Sequence, residues 1–369
     1  MRIALDVRAM SGKRSGVGFW VYNLVRALGR IDAENEYLLC SNRPVEVPFA
    51  LPPNFAPRVV AMPVSNLWLQ TACPLDLARR GVDVFHGTNF VVPLISRIPR
   101  VATIYDLTPH LFPEYHKTGN TLVQRLVPAS VRRSRLVIAV SEHTKRDLIA
   151  LWGLPEAKIR VVPGAPGEEF YPRTDPAELA AFRARHGLPE RFLLAVGTIE
   201  PRKNLGAIFE ALRLLKQEGI VDHKLVLVGD KGWRTGPIFD RLDALGLRDD
   251  VLFAGYQGWD TLPFYYSLAR LLVFPSFYEG FGLPPLEAMA CGTPAVVGDN
   301  SSLREVVPDP ALRVDANRPR ALADAIKRLL TDEDLRRRAA ADGLAWARTF
   351  NWDDIARKTL AVYREAAGK

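Results

Sequence analysis

Two glutamates stand eight residues apart in PSFYEGFGLPPLEAMACG (residues 275–292), separated by Gly280, Gly282, Pro284 and Pro285. A carboxylate can accept hydrogen bonds from both hydroxyls of a vicinal diol, as in ribose recognition. Glycines let backbone amides approach a ligand without a Cβ in the way. Prolines suit the first turn of a helix, and a glycine such as Gly292 suits the residue after its end. Glu279 is therefore expected in a loop and Glu287 on a helix, around a diphosphate held by main-chain amides. The plainer alternative is a capped helix with two surface glutamates. Upstream, GTIEPRKNLGAIFEAL sets Arg202 and Lys203 at the mouth of another helix, where cations and helix amides together favour phosphate. A solvated charge pair is the competing reading. Near the start, SGKRSGVGFW holds Gly16 and Gly18, but the third position of a dinucleotide fingerprint is Val21, so that reading fails. What remains is a basic loop, with Lys13 and Arg14, running into a helix N-terminus that can approach an anion.

These loops follow strands, and ligands of parallel sheets bind at the carboxyl ends of strands. Near-continuous apolar runs separated by helical stretches mark parallel sheets covered on both faces. RIALDV, YLLC, RVVAM, VDVFHG, RVATIYDL, RLVIAVS and KIRVVP are the expected strands of a first half. RFLLAVGT, KLVLVGD, VLFAGY, RLLVFPS and TPAVVGD are those of a second. VVPGAPGEEFYPRTDP, too rich in proline and glycine for either element, places a linker near residues 164–175. The expected fold class is α/β, with two Rossmann-like doubly wound parallel-sheet domains facing across a cleft. Residues 1–168 form the first, 169–350 the second, and a C-terminal helix in 351–369 is expected to pack back on the first.

The chain of 369 residues exceeds the roughly 250–300 at which one core stops growing, and its 48% hydrophobic and 24% charged content is that of a globular protein. No run is long and apolar enough to span a membrane, and MRIALDVRAM enters a strand at once without a signal peptide, so a cytoplasmic location is expected. Cys40, Cys73 and Cys291 are scattered, which supports neither a disulfide framework nor a metal site. Residues 1–172 hold 21 Lys and Arg against 14 Asp and Glu, or +7 of the total +8. That excess points to an anionic partner, or else to ordinary solvated charge. Nucleic acid is disfavoured, since no basic cluster has interleaved aromatics. Arg125, Arg132, Arg133 and Arg135 lie around one helix, with Phe19, Trp20 and Trp68 expected to reach the surface, a pattern suited to the inner face of a membrane.

Along essentially its whole length the sequence resembles the retaining nucleotide-sugar glycosyltransferases of family 4, which have the GT-B fold. The glycines at 16 and 18, GTIEPRKN, VGDKGW, SFYEGFGLPPLEAMACGTPAV and a tryptophan-containing C-terminal helix carry the likeness. The resemblance implies that Arg202 and Lys203 neutralise the donor diphosphate. It implies that Glu279 contacts the transferred sugar, that Phe281, Gly282 and Leu283 offer amides to sugar and phosphate, and that Glu287 binds ribose. By the same resemblance, Val228, Gly229, Lys231 and Tyr256 are expected in the base pocket, and Gly16 to Gly18 are expected to reach the diphosphate or acceptor from the other domain. DVFHGTNFVVP, TIYDLTPHLFPEY and SEHTKRDL are similar to bacterial mannosyltransferases of O-antigen or exopolysaccharide synthesis. GDP-mannose is then the first donor and a UDP-hexose the second, with a lipid-linked saccharide as acceptor.

One departure concerns Tyr105-Asp106, where many relatives have His-Asp. Asp106 is expected to be catalytic, while Tyr105 replaces the histidine as a donor, or His110 enters, or the role is dispensed with. Arg14, Tyr105 and His110 are assigned to the acceptor side; His86 and His116 are more simply structural. With no nucleophile in the matching position, the resemblance implies front-face substitution, in which the leaving diphosphate takes the acceptor proton and fixed cations stabilise it. No cofactor or metal is expected. An epimerase of the same fold, a phosphorylase and a silent sugar-nucleotide sensor compete with this reading. Transfer needs donor and acceptor, epimerisation needs donor alone, and a sensor turns over neither.

Overall fold

The computed structural model describes residues 1–12, 16–113, 121–220 and 222–369, without the side chains of 121–125. Lys13, Arg14 and His116, and the side chain of Arg125, lie outside the described residues. The chain forms two compact units. One comprises Met1–His110, Thr118–Gly164 and Asn351–Lys369; the other comprises Leu111–Lys117 and Ala165–Phe350.

The first unit contains β1 (Arg2–Asp6), α1 (Gly16–Ile31), β2 (Glu36–Ser41), β3 (Phe55–Val59), α2 (Ser65–Gln70), α3 (Ala72–Arg79), β4 (Val84–Gly87) and β5 (Arg100–Ile104). After α4 (Thr108–Leu111) come α5 (Thr121–Arg133), β6 (Leu136–Ala139), α6 (Glu142–Trp152) and β7 (Ile159–Val161). All seven strands are parallel, in the order β3-β2-β1-β4-β5-β6-β7. The third lies three residues earlier than RVVAM, because Phe55 pairs with Tyr37 and stacks on it at 4.2 Å, which fixes the register.

The second unit begins with α7 (Pro176–His186), β8 (Phe192–Val196), α8 (Leu205–Gln217), β9 (Lys224–Val228), α9 (Gly236–Ala244) and β10 (Val251–Gly255). It continues with α10 (Leu262–Leu268), β11 (Leu271–Phe274), α11 (Leu283–Ala290), β12 (Ala295–Gly298), α12 (Leu303–Val306), β13 (Arg313–Val314), α13 (Pro319–Thr331) and α14 (Glu333–Ala347). These strands are also parallel, ordered β10-β9-β8-β11-β12-β13. β13 has two residues and no periodicity to betray it, so the sequence reading lacks it. In this sheet β8 and β11 are neighbours although β9 and β10 intervene in the chain, which makes their carboxyl ends the switch point where ligands bind.

The chain returns to the first unit in α15 (Trp352–Ala367), whose N-cap Asn351 accepts from the Asp354 amide. Trp352 meets Trp20 edge-on at 6.1 Å, and the Tyr363 hydroxyl lies 2.7 Å from Nδ1 of buried His86. His86 Nε2 meets Thr103 Oγ1 at 2.7 Å. Burial pushes the imidazole down to about 3, so it stays neutral. The expectation that Phe19, Trp20 and Trp68 reach the surface is corrected here. All three are 3% exposed or less, because α1 turns the first two inward and the Arg8 guanidinium covers Trp68 at 4.8 Å.

Candidate active site

After β8 the chain crosses Gly197, makes one tight turn at Pro201–Lys203, and enters α8. Gly197 takes φ 135° and Gly229 φ 149°, and a Cβ on Gly229 would lie 2.1 Å from the Gly197 carbonyl. Only glycines let these two post-strand loops pack so closely, with the Lys203 side chain laid along Gly197. Asn204, at φ 53°, turns its amide to the Ala316 and Pro275 carbonyls instead of capping α8. The first turn of α8 is therefore left without a side-chain cap.

The loop after β11 lies against this turn, with the Phe277 amide donating to the Arg202 carbonyl at 3.0 Å. Arg202 reaches the Tyr278 carbonyl at 2.8 Å, Glu200 Oε1 at 2.6 Å and Glu279 Oε1 at 2.8 Å. Lys203 Nζ reaches the same Glu279 oxygen at 2.7 Å. The Glu279 amide donates to Ser301 Oγ, and Ser302 Oγ lies 2.8 and 2.6 Å from the Glu279 and Phe281 carbonyls. Leu283 opens α11 and is followed by Pro284 and Pro285, so the helix start offers the Leu283 amide and not the usual group of donors. Gly282, at φ 115°, makes the turn into it, and a Cβ there would press Leu303 at 3.0 Å.

Glu200, Arg202, Lys203 and Glu279 thus form a four-ion cluster with formal charges that cancel, each side chain 16% exposed or less. Burial alone would raise Glu279, but the Arg202 and Lys203 cations hold its carboxyl down to about 2. Burial lowers the Lys203 ammonium and Arg202 lowers it further, against the opposing pull of Glu279. Both cations lean on one carboxylate oxygen, where an anionic ligand can compete for them. Glu287 is different. It is 7% exposed on α11, accepts a hydrogen bond from Tyr266 at 2.8 Å, and is pushed up by burial to about 7.

The structure brings Arg202, Lys203 and Glu279 into direct contact and sets Phe281, Gly282 and Leu283 in the same loop and helix start. Val228 is the last residue of β9 and is buried; Gly229 follows it. The Lys231 ammonium sits 4.7 Å over the Phe239 ring, and Tyr256, just past β10, is 42% exposed. In the first unit, Gly16 and Gly18 lie in the opening turn of α1. Tyr105 gives its hydroxyl to the Thr88 carbonyl at 2.9 Å, while Asp106 accepts from the Thr108 amide at 2.9 Å and from its hydroxyl. His110 is exposed and packs edge-on to Trp152 at 6.2 Å. Sequence reasoning missed Glu200, Tyr266, Ser301 and Ser302, which hold the predicted side chains and loop. It also missed the buried Asp6–Arg8 pair at the end of β1, bridged at 2.6 Å. Its only signal was an acid and a base two residues apart after a strand.

Residues 14–165 match the family described as Glycosyltransferase Family 4, and residues 179–346 match Glycosyl transferases group 1. The chain is 35% identical over 285 residues to O-antigen chain mannosyltransferase B of Escherichia coli, covering 76% of this chain and 74% of that one. The chain belongs to the family 4 glycosyltransferases. This glycosyltransferase is a hexosyltransferase of a retaining family that takes its sugar from a nucleotide-sugar. It is also 31% identical over 235 residues to the serotype-specific mannosyltransferase WbdA of Escherichia coli, spanning 62% of this chain but 28% of that longer one. Among solved structures, sucrose-phosphate synthase from Thermosynechococcus elongatus matches with a TM-score of 0.76 at 24% identity, over 99% of this chain and 98% of that one. That likeness identifies the glycosyltransferase fold as GT-B. Among the described residues, no helix is long and apolar enough to cross a membrane.

Proposed function

We propose that this glycosyltransferase moves mannose, with retention, from GDP-mannose to a hydroxyl of a lipid-linked or oligosaccharide acceptor in cell-surface polysaccharide synthesis. The observation that carries the reading is the pair of buried cations converging on one Glu279 oxygen at the β8–β11 switch point. The likeness to an O-antigen mannosyltransferase supports the choice of sugar and acceptor. In the free protein Glu279 holds the place of the diphosphate. Donor binding draws Arg202 and Lys203 onto the phosphates, where they stabilise charge developing on the leaving group. Glu279, released, then accepts hydrogen bonds from the transferred sugar. Glu200 keeps the Arg202 fork aimed during the exchange. The amides of Phe281, Gly282 and Leu283 serve phosphate and sugar, Glu287 serves ribose, and Val228, Gly229, Lys231 and Tyr256 line the base site. Asp106 is the catalytic residue of the first unit, Arg14, Tyr105 and His110 belong to its acceptor side, the Gly16–Gly18 turn serves the diphosphate or the acceptor, and that unit's basic residues draw it to an anionic membrane surface.

A thermal-shift panel of GDP, GDP-mannose, UDP and UDP-glucose, followed by product analysis with a mannose-terminated acceptor, tests this. Stabilisation by the guanine nucleotides and an α-linked product are expected. Stabilisation by the uridine nucleotides alone would overturn the donor assignment, and donor consumption without acceptor would overturn the transfer reading.

A further inference from the structure

At the amino-terminal edge of the first sheet, the starts of β5 and β6 and the ends of α5 and α15 enclose a hollow of about 410 Å³. Arg97, Arg100, Arg133 and Arg135 line it, with Ser96, Ser134 and the chain from Ala366 to Gly368, and no acid does. The Arg135 amide donates to the Arg100 carbonyl at 2.7 Å, which ties the two strand starts together beneath the arginines. Arg100 is anchored from below, its Nη1 donating to the Pro93 and Leu94 carbonyls at 2.7 and 3.2 Å. Its Nε is buried without a hydrogen-bond partner. Arg97, Arg133 and Arg135 are exposed, and among the described residues none of the four arginines forms an ion pair. The acids on adjoining elements are engaged elsewhere: Asp83 by Lys369, Glu365 by Arg160, and Glu156 by Lys145. The carboxyl ends of α5 and α15 each carry about half a unit of negative charge, together too little to offset four guanidinium groups.

The second unit supplies an internal comparison. The residues leading into β8, β9 and β11 include Arg191, Asp222 and Arg270. There Arg191 meets Asp222 at 3.4 Å, and Arg270 and Arg336 share Glu333 at 2.9 and 2.5 Å. Arginines at the start of a parallel strand can therefore be neutralised within the fold, and those of the first unit are not. Burial and the Arg133 charge also pull Arg100 below its ordinary range, the behaviour of a cation lacking a counter-ion.

We propose that this hollow is a second phosphate site, binding the phosphate of a ligand without an aromatic base, on the edge opposite the strand ends that carry the sugar chemistry. Guanidinium forks match phosphate oxygens in pairs, and the absence of an aromatic side chain from the lining leaves no stacking platform for a nucleobase. Ile95, 84% exposed in the adjoining loop, sets an apolar contact beside the cations. The site deepens the attraction of the first unit to anionic surfaces and is independent of the transfer reaction.

Pyrophosphate is the probe, titrated calorimetrically into Lys203→Ala, which weakens the donor site, and into the same variant with Arg133→Gln and Arg135→Gln. Both added substitutions are at exposed positions, and circular dichroism checks that the fold is kept. The single variant should retain one pyrophosphate site, and the triple variant should bind at least tenfold more weakly. Equal affinity in the two would overturn the proposal. Co-sedimentation with phosphatidylcholine vesicles containing 30% phosphatidylglycerol then identifies the source. Binding displaced by pyrophosphate and lost with the two arginines indicates a lipid head group. Indifference to the vesicles with pyrophosphate still bound indicates a soluble phosphate compound.

Discussion

Replacing Glu287 by glutamine should stabilise this enzyme in alkaline solution and leave it unchanged in acid. The carboxyl is buried against Tyr266 and pushed from an ordinary 4.5 up to about 7. It holds its proton more tightly in the folded chain than in the unfolded one, so wild-type stability falls as pH rises from about 4.5 to about 7 and levels off above. At 1.36 kcal/mol per tenfold change in the protonation constant, full ionisation costs on the order of 3 kcal/mol. Glutamine keeps an oxygen for the Tyr266 hydroxyl and never ionises. For a unit of this size, that corresponds to a gain in Tm of roughly 6–12 °C at pH 8 and none at pH 5. The neutral, buried His86 acts with the opposite sign, removing stability as pH falls from 6.5 toward about 3. It is common to both proteins and cancels in the difference. Scanning fluorimetry from pH 5 to 8 reads the result, and parallel Tm curves would refute the argument. In the proposed ribose role the same ionisation is needed for binding, so wild-type donor affinity should strengthen as pH rises through 7 while the variant's stays flat and weak.

Arg202→Ala and Lys203→Ala should each lower kcat by roughly 10²-fold or more, the scale of losing one transition-state donor, and near-normal turnover in both would remove the phosphate role. Glu279→Ala should act on kcat and Glu287→Ala on the donor KM, because sugar contacts change during reaction and ribose contacts do not; identical KM effects would undo that division. With Arg202 and Lys203 proposed to stabilise the leaving diphosphate, EDTA should leave initial rates unchanged, and activity lost to EDTA and restored by magnesium or manganese would contradict this. Tyr363→Phe strips Nδ1 of buried His86 of its partner and should cost about 1–3 kcal/mol in urea unfolding with no change in slope.

The two parallel sheets and the loops after β8 and β11 were legible because apolar runs, prolines and glycines act locally. Glu279 fell in a loop and Glu287 on a helix for the same reason. What escaped was set by side-chain contacts, some of them distant in the chain. Nothing beside Glu200 signals that it will clamp Arg202, and Tyr266 and Glu287 are 21 residues apart. Phe19 and Trp20 were misplaced because composition does not say which face of α1 turns inward, and Trp68 because nothing near it announces that Arg8 will cover it. Tyr105 and Asp106 were singled out by resemblance, whereas their visible bonds hold Thr88 and the start of α4.

The last segment of the chain completes the first unit, and this bears on how the protein is made. Synthesis runs from the amino terminus, and domains generally fold as they emerge. Here Ala165–Phe350 is finished before Asn351–Lys369 exists outside the ribosome. Until then α1 lacks the helix that covers Trp20, and His86 lacks Tyr363. The amino-terminal sheet must therefore wait, partly uncovered, while its downstream neighbour matures. A chain released just short of Trp352 would carry a complete second unit and an unfinished first one, with apolar surface open to chaperones. A nonsense mutation there would yield a chain that degradation removes before catalysis is ever at issue.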